Sequence, residues 1–269
     1  MKILKNLESK NYKILGSHPE IIEIHKIIGR LSKNRLPVLI EGEPGTGKHQ
    51  VARILHQACC PDKELVTIDC STIIPILLEK EFFGVGKTLN SGMEMISQQG
   101  ILSYAGDGMV LLDEVSALPL SFQWKFLKAI QHNEFSTLTN DHFISSKARI
   151  VATTQYDLRT LTKNEKFRED LYYYLASSRV VLPPLRKRKT DIPLIVHSLI
   201  VKICRDLKVD TTSITQSAMQ VLMTQDWPGN IEELEYTLLG IIKSSHGKTL
   251  EKKNITASLN SSGEYMRGH

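Results

Sequence analysis

The sequence has no run of eighteen apolar residues, so no membrane-spanning helix is expected. Its first residues, Met1-Lys2-Ile3-Leu4-Lys5-Asn6, lack the apolar core of a signal peptide. Cysteine is scarce: the four are Cys59, Cys60, Cys70 and Cys204, and none forms a CxxC pair. A disulfide framework is therefore not expected, and reduced thiols in a cytoplasmic protein are. The net charge of +5 is too mild over 269 residues to mark a nucleic-acid partner by itself. No internal repeat is present. What remains is a hydrophobic fraction of 41%, which suits a globular protein with one large domain, or an α/β domain with a smaller companion.

Within that background the run Gly42-Glu43-Pro44-Gly45-Thr46-Gly47-Lys48-His49 stands out. It follows an apolar strand, Val38–Ile40, and opens a helical stretch beginning Val51-Ala52-Arg53. A phosphate-cradling loop needs that context. Glycines turn backbone N–H groups toward phosphates, Lys48 supplies a cation, and the helix N-terminus adds partial positive charge. The generic pattern ends in Ser or Thr, whose hydroxyl binds magnesium; here that position is His49. About sixty residues on, Met109-Val110-Leu111-Leu112-Asp113-Glu114 is an apolar strand ending in two carboxylates. A buried parallel strand reads this way, and ligands bind at the carboxyl ends of such strands. Asp113 is the candidate to hold Mg2+, directly or through water, and Glu114 the candidate to polarise an attacking water.

The wider pattern predicts strands at Val38–Ile40, Leu65–Ile68, Met109–Leu112, Arg149–Thr153 and Val180–Leu182. Helices are predicted at Pro19–Leu31, His49–Gln57, Ser121–Gln131 and Arg168–Leu175. Alternation of this kind predicts an α/β fold, a parallel sheet flanked by helices. Pro183-Pro184 ends it. Helices then follow at Ile192–Asp206, Thr215–Thr224 and Ile231–Ser244. The expected organisation is a polar segment 1–13, a nucleotide-binding α/β subdomain 14–182, a helical lid 183–247 and a polar tail 248–269 without assigned structure.

From about Leu15 to Ser245 the chain resembles the AAA+ ATPase domain of bacterial enhancer-binding proteins, the activators of sigma-54 RNA polymerase. The matching stretches include Leu15-Gly16-Ser17, the loop Gly42–Lys48, Glu81-Phe82-Phe83-Gly84, Leu111–Val115, Leu118-Pro119-Leu120, Phe167–Tyr173, Leu182–Arg186, Asp191–Leu194 and Trp227-Pro228-Gly229-Asn230. The resemblance implies ATP with Mg2+, bound between the α/β domain and the lid, and a homo-oligomeric ring, usually a hexamer. It implies that Arg168 is an arginine finger reaching a neighbour's site and that Thr154 belongs to the sensor on the fourth strand. In this family an acidic residue, rather than Ser or Thr, commonly follows the loop lysine, so the resemblance makes His49 less damaging than the generic pattern implies.

Other departures bear on activity. The GAFTGA loop that contacts sigma-54 should follow Phe83-Gly84, but that place reads Thr88-Leu89-Asn90-Ser91-Gly92-Met93, without the aromatic. Glu232 replaces the lid arginine, Tyr174 a second finger arginine, Gln155 the sensor asparagine, and Asp69 the asparagine that gates the catalytic glutamate. No receiver domain before Ile14 and no helix-turn-helix after the lid is recognisable, so no DNA-binding domain is expected in this sequence. The expectation is an ATP-binding AAA+ domain in transcription regulation, with weak hydrolysis and without autonomous sigma-54 activation. An ATP-binding protein-interaction module, or a decayed paralogue without transcriptional activity, are the alternatives.

Overall fold

The computed structural model describes residues 13–86, 89–90, 93–94, 98–245 and 249–265. The segment 1–12 and, within the stretch Thr88–Met93, Thr88, Ser91 and Gly92 lie outside these residues. The chain divides into two compact units. Helix α1 (Pro19–Leu31) carries buried Ile21, Ile24, Ile28 and Leu31, a spacing that places them on one helical face.

The first unit contains residues 26–41 and 48–181. Its sheet has five parallel strands: β1 (Val38–Glu41), β2 (Leu65–Asp69), β3 (Met109–Asp113), β4 (Arg149–Thr154) and β5 (Arg179–Val181). Their order is β5-β1-β4-β3-β2. β1 and β4 are buried along their whole length and β3 up to Leu112. Both faces of these strands are covered, which explains why their sequences run apolar instead of alternating. Helices α2 (Lys48–Cys59), α3 (Leu78–Phe83), α4 (Ile101–Ala105), α5 (Leu120–His132), α6 (Leu158–Lys163) and α7 (Glu169–Leu175) complete the unit with three short antiparallel ribbons. Phe82 of α3 meets Phe122 and Phe126 of α5 edge to face, with centroids 4.9 and 5.4 Å apart. One ribbon pairs Leu89–Asn90 with Met93–Glu94. Helices α3, α4 and α6 are absent from the sequence prediction because five or six residues are too few to display a helical period.

The second unit contains residues 14–25, 42–47 and 182–269. Its core joins α8 (Ile192–Leu207), α9 (Gln216–Thr224), α10 (Asn230–Ser245) and α11 (Lys252–Tyr265). The Thr215 side chain caps α9 by accepting from the Ala218 N–H at 3.3 Å. Trp227 is buried between α9 and α10, its Nε1 donating to the Leu222 carbonyl at 2.8 Å. The tail, expected to lack structure, instead forms α11. Leu250 and Ile255 are fully buried, and Leu250 exchanges backbone hydrogen bonds with Ser213 and Thr215. Lys252–Tyr265 has few apolar residues, so its period is faint; the core supplies what its sequence lacks.

Candidate functional site

In the first unit the candidate site is built where β3 ends. Glu114 takes the left-handed conformation, φ 49° and ψ 56°. In a continuing strand, neighbours 113 and 114 would point to opposite faces. The left-handed turn ends the strand, and both carboxylates meet the start of α2. His49 Nε2 lies 2.9 Å from Asp113 Oδ2, and Lys48 Nζ lies 3.6 Å from Glu114 Oε1. Lys48 is buried, whereas His49 is half exposed. The structure thus brings together four residues singled out in the sequence.

A fifth residue was not among them. Thr153 Oγ1 donates to Asp113 Oδ1 at 2.5 Å and accepts from the Glu114 N–H at 3.2 Å. Thr154, the sensor candidate, directs its hydroxyl to Tyr156, accepting from its N–H at 3.0 Å and donating to its carbonyl at 3.2 Å. Two adjacent threonines at a strand end face opposite ways, and the registry of β4 on β3 decides which one meets the carboxylates. The Glu114 carboxylate also accepts from the Gln155 N–H at 3.2 Å. Asp69, opposite Asp113 on β2, instead accepts from Ser71, at 2.9 Å from its N–H and 2.6 Å from its hydroxyl. The amide that restrains Glu114 therefore comes from the backbone beside Thr154, not from position 69.

Burial opposes ionisation of Asp113, but hydrogen bonds from His49 and Thr153 and the charges of His49 and Lys48 outweigh it. Its carboxyl is held below the ordinary value. Among the described residues no group of three or more His, Cys, Asp or Glu side chains is placed to hold a metal ion. Asp113 and His49 offer one oxygen and one nitrogen donor, a set that fits a divalent ion completed by other ligands.

The loop Gly42–Gly47 is anchored in the second unit. Asn230, buried with φ 55°, donates to the Pro44 carbonyl at 2.8 Å and to Glu43 Oε2 at 3.3 Å, and accepts from the Leu185 N–H at 2.7 Å. Arg186 grips the Glu43 carboxylate with both terminal nitrogens, at 2.7 and 2.5 Å. That pairing, against the cost of burial, holds the Glu43 carboxyl low, with Asn230 assisting. Buried Arg188 donates to the Thr46 carbonyl at 3.1 Å. Gly45 has φ 73°, and a Cβ there would stand 2.2 Å from the Gly229 carbonyl oxygen and 3.0 Å from Glu232 Cβ. Only glycine fits. Glu232 itself is exposed, so position 232 stands against the loop while its charge is open to solvent.

Arg168 stands at the N-cap position of α7, without a capping hydrogen bond from its side chain, and makes a two-pronged pair with Asp170, at 3.0 and 2.8 Å, with its guanidinium 5.0 Å from the Trp124 ring centre. It makes no hydrogen bond or ion pair with Asp113 or Glu114 of its own chain. Tyr174 donates to the Ile130 carbonyl at 2.9 Å, tying α7 to α5.

The family of the sigma-54 interaction domain matches residues 14–181. This chain belongs to the sigma-54 interaction domain family. The AAA+ ATPase lid domain matches residues 186–267, a span that includes α11. Regulatory protein AtoC of Escherichia coli strain K12 is 33% identical over 243 residues, covering 90% of this chain and 52% of AtoC. The DNA-binding transcriptional regulator NtrC of Azospirillum brasilense is 39% identical over 223 residues, covering 82% of this chain and 46% of NtrC. NtrX from Brucella abortus, solved in complex with ATP, superposes with a TM-score of 0.82 at 26% identity, covering 90% of this chain and 54% of NtrX. Its complex with ADP gives 0.81. The sigma-54 interaction chain described here thus spans about half the length of these relatives. Among the described residues no helix is long and apolar enough to cross a membrane.

Proposed function

We propose that this chain is a cytoplasmic ATP-binding AAA+ module of a transcription regulator, holding nucleotide phosphates with Gly42–His49 and a divalent ion with Asp113. The observation that carries the reading is the convergence of Lys48 on Glu114 and of His49 on Asp113 at the end of β3. NtrX complexes with ATP and ADP support it by likeness. A bound Mg2+ would neutralise phosphate charge. Lys48 would leave Glu114 for the phosphates. Glu114 would then orient and polarise water, with Thr153 holding Asp113 and sensing its state in the place expected of Thr154. Arg168, partly exposed and steered by Asp170 and Trp124, would serve a neighbouring copy in a ring.

Titration calorimetry with ADP and Mg2+ tests the core of the proposal. Wild type should bind, and Lys48→Ala should lose most of the affinity, at least about tenfold, because a charge-assisted contact is removed. Absence of heat from the folded wild type with either ATP or ADP would refute it.

Hydrolysis should be slow. Glu114 sits restrained by Lys48 and the Gln155 amide, and Glu232 and Tyr174 replace cations. The chain should not open sigma-54 promoters alone, because Thr88–Met93 lacks the aromatic contact residue. A partner shifts only through differential contact. Trapping the protein with a transition-state nucleotide analogue and sigma-54 should yield no stable complex; a complex that disappears on changing Asn90 and Ser91 would reverse this conclusion.

A further inference from the structure

Resting on the nucleotide-binding reading, we propose that His49 is a direct ligand of the divalent ion and makes the site prefer a first-row transition ion such as Mn2+ over Mg2+. His49 occupies the position where a phosphate loop ordinarily presents a hydroxyl oxygen. Its imidazole is not turned away from that task. Nε2 points at Asp113 Oδ2 from 2.9 Å. Adjacent ligands of an octahedral ion with bonds of about 2.1 Å stand about 3 Å apart, so the two atoms are spaced as neighbouring corners of one coordination shell.

The surroundings fit the same role. Thr153 donates to Asp113 Oδ1, which fixes the carboxylate plane and leaves Oδ2, the oxygen facing His49, for the ion. Such outer hydrogen bonds orient carboxylate ligands in metal sites. Asp113 is largely buried at a strand end and cannot swing far, whereas half-exposed His49 at the start of α2 can adjust its ring. Two protein donors are enough when phosphate oxygens and water complete the shell. The donor chemistry then sets the choice of ion. Mg2+ is selective for oxygen and gains little from an imidazole. Mn2+ and the later divalent ions accept nitrogen, with affinity rising along the series.

The test uses the full chain with ADP. Pulsed electron paramagnetic resonance of the Mn2+–ADP complex reads directly bound imidazole as nitrogen modulation of the spin echo. Wild type should show that modulation, and His49→Ser should lose it. Calorimetry should find ADP bound at least about tenfold more tightly with Mn2+ than with Mg2+, and His49→Ser should reduce this ratio several-fold. An Mn2+–ADP complex of wild type without nitrogen modulation would overturn the inference even if His49→Ser fails to fold, and His49 would then be a hydrogen-bond partner of Asp113 only. An unchanged Mn2+ to Mg2+ ratio in a folded His49→Ser protein would overturn it equally. No ADP binding with either ion would refute the nucleotide reading, and this inference with it.

Discussion

His56 shows how one buried residue couples this fold to pH. It lies on α2, nearly inaccessible to solvent, with Nε2 2.8 Å from the Lys63 carbonyl. Burial lowers its pKa below the ordinary 6.5, and the carbonyl contact only partly resists. The folded state therefore binds fewer protons at this site than the unfolded chain. Its contribution to stability is complete above the unfolded value of 6.5, declines as pH falls below it, and is lost through the lower folded value. Urea denaturation of wild type should accordingly weaken between about pH 7.5 and pH 5, and His56→Gln should show a shallower dependence. Parallel pH profiles for the two proteins would dismiss His56 as a source. Residues differ in how legible they are. Lys48, Asp113 and Glu114 can be identified in the sequence because motif spacing ties them to a helix start and a strand end. Thr153 cannot, since its role depends on which residue of β3 lies beside it.

Among the elements, the first turn of α10 illustrates the difference between finding a helix and knowing its use. Trp227-Pro228-Gly229-Asn230 announces a helix start in the sequence, and α10 begins at Asn230. Only the structure reveals that the Asn230 amide leaves the helix to hold Pro44 and Glu43, which seats the glycine-rich loop on this turn. Glu232 is one turn position away, with its Cβ against Gly45. An acidic residue there favours the helix by about 0.3–1 kcal/mol. Glu232→Arg should therefore cost up to about 1 kcal/mol of stability. It should nevertheless raise ATP turnover several-fold, because a cation beside the loop offsets charge on the transferring phosphoryl group. A steady-state assay at saturating ATP decides the matter. Unchanged or lower turnover in a variant that still binds ATP would count against Glu232 as the defect.

At the scale of the molecule, the second unit closes its core only with the last helix. Leu250 and Ile255 are fully buried, and α11 packs on α9 and α10. Burying a leucine or isoleucine side chain is worth about 1.5–3 kcal/mol. A chain ending at residue 247 should thus lose several kcal/mol from this unit, on the order of the two buried side chains together. Hydrogen exchange should register this as faster exchange of α9 and α10 amides. Unaltered protection in the truncated protein would show that α11 is dispensable. The cost falls on a segment that composition alone would place outside the fold, since a helix with few apolar residues can still fill a gap that other helices leave.

The sequence by itself determined the α/β class, the five strands within a residue or two of their observed ends, the glycine-rich loop between a strand and a helix, and the paired carboxylates at a strand end. All of these are encoded locally, as apolar runs, helical periods, glycine spacing and proline stops. The tertiary structure alone decided that Thr153 and not Thr154 holds Asp113, that Gln155 and not Asp69 restrains Glu114, that His49 meets Asp113, and that residues after 248 complete a core. Each of these depends on strand register or on the packing of segments far apart in the chain. A local pattern specifies which face of an element is apolar; the partner that face or that hydroxyl will find is set only when the elements assemble.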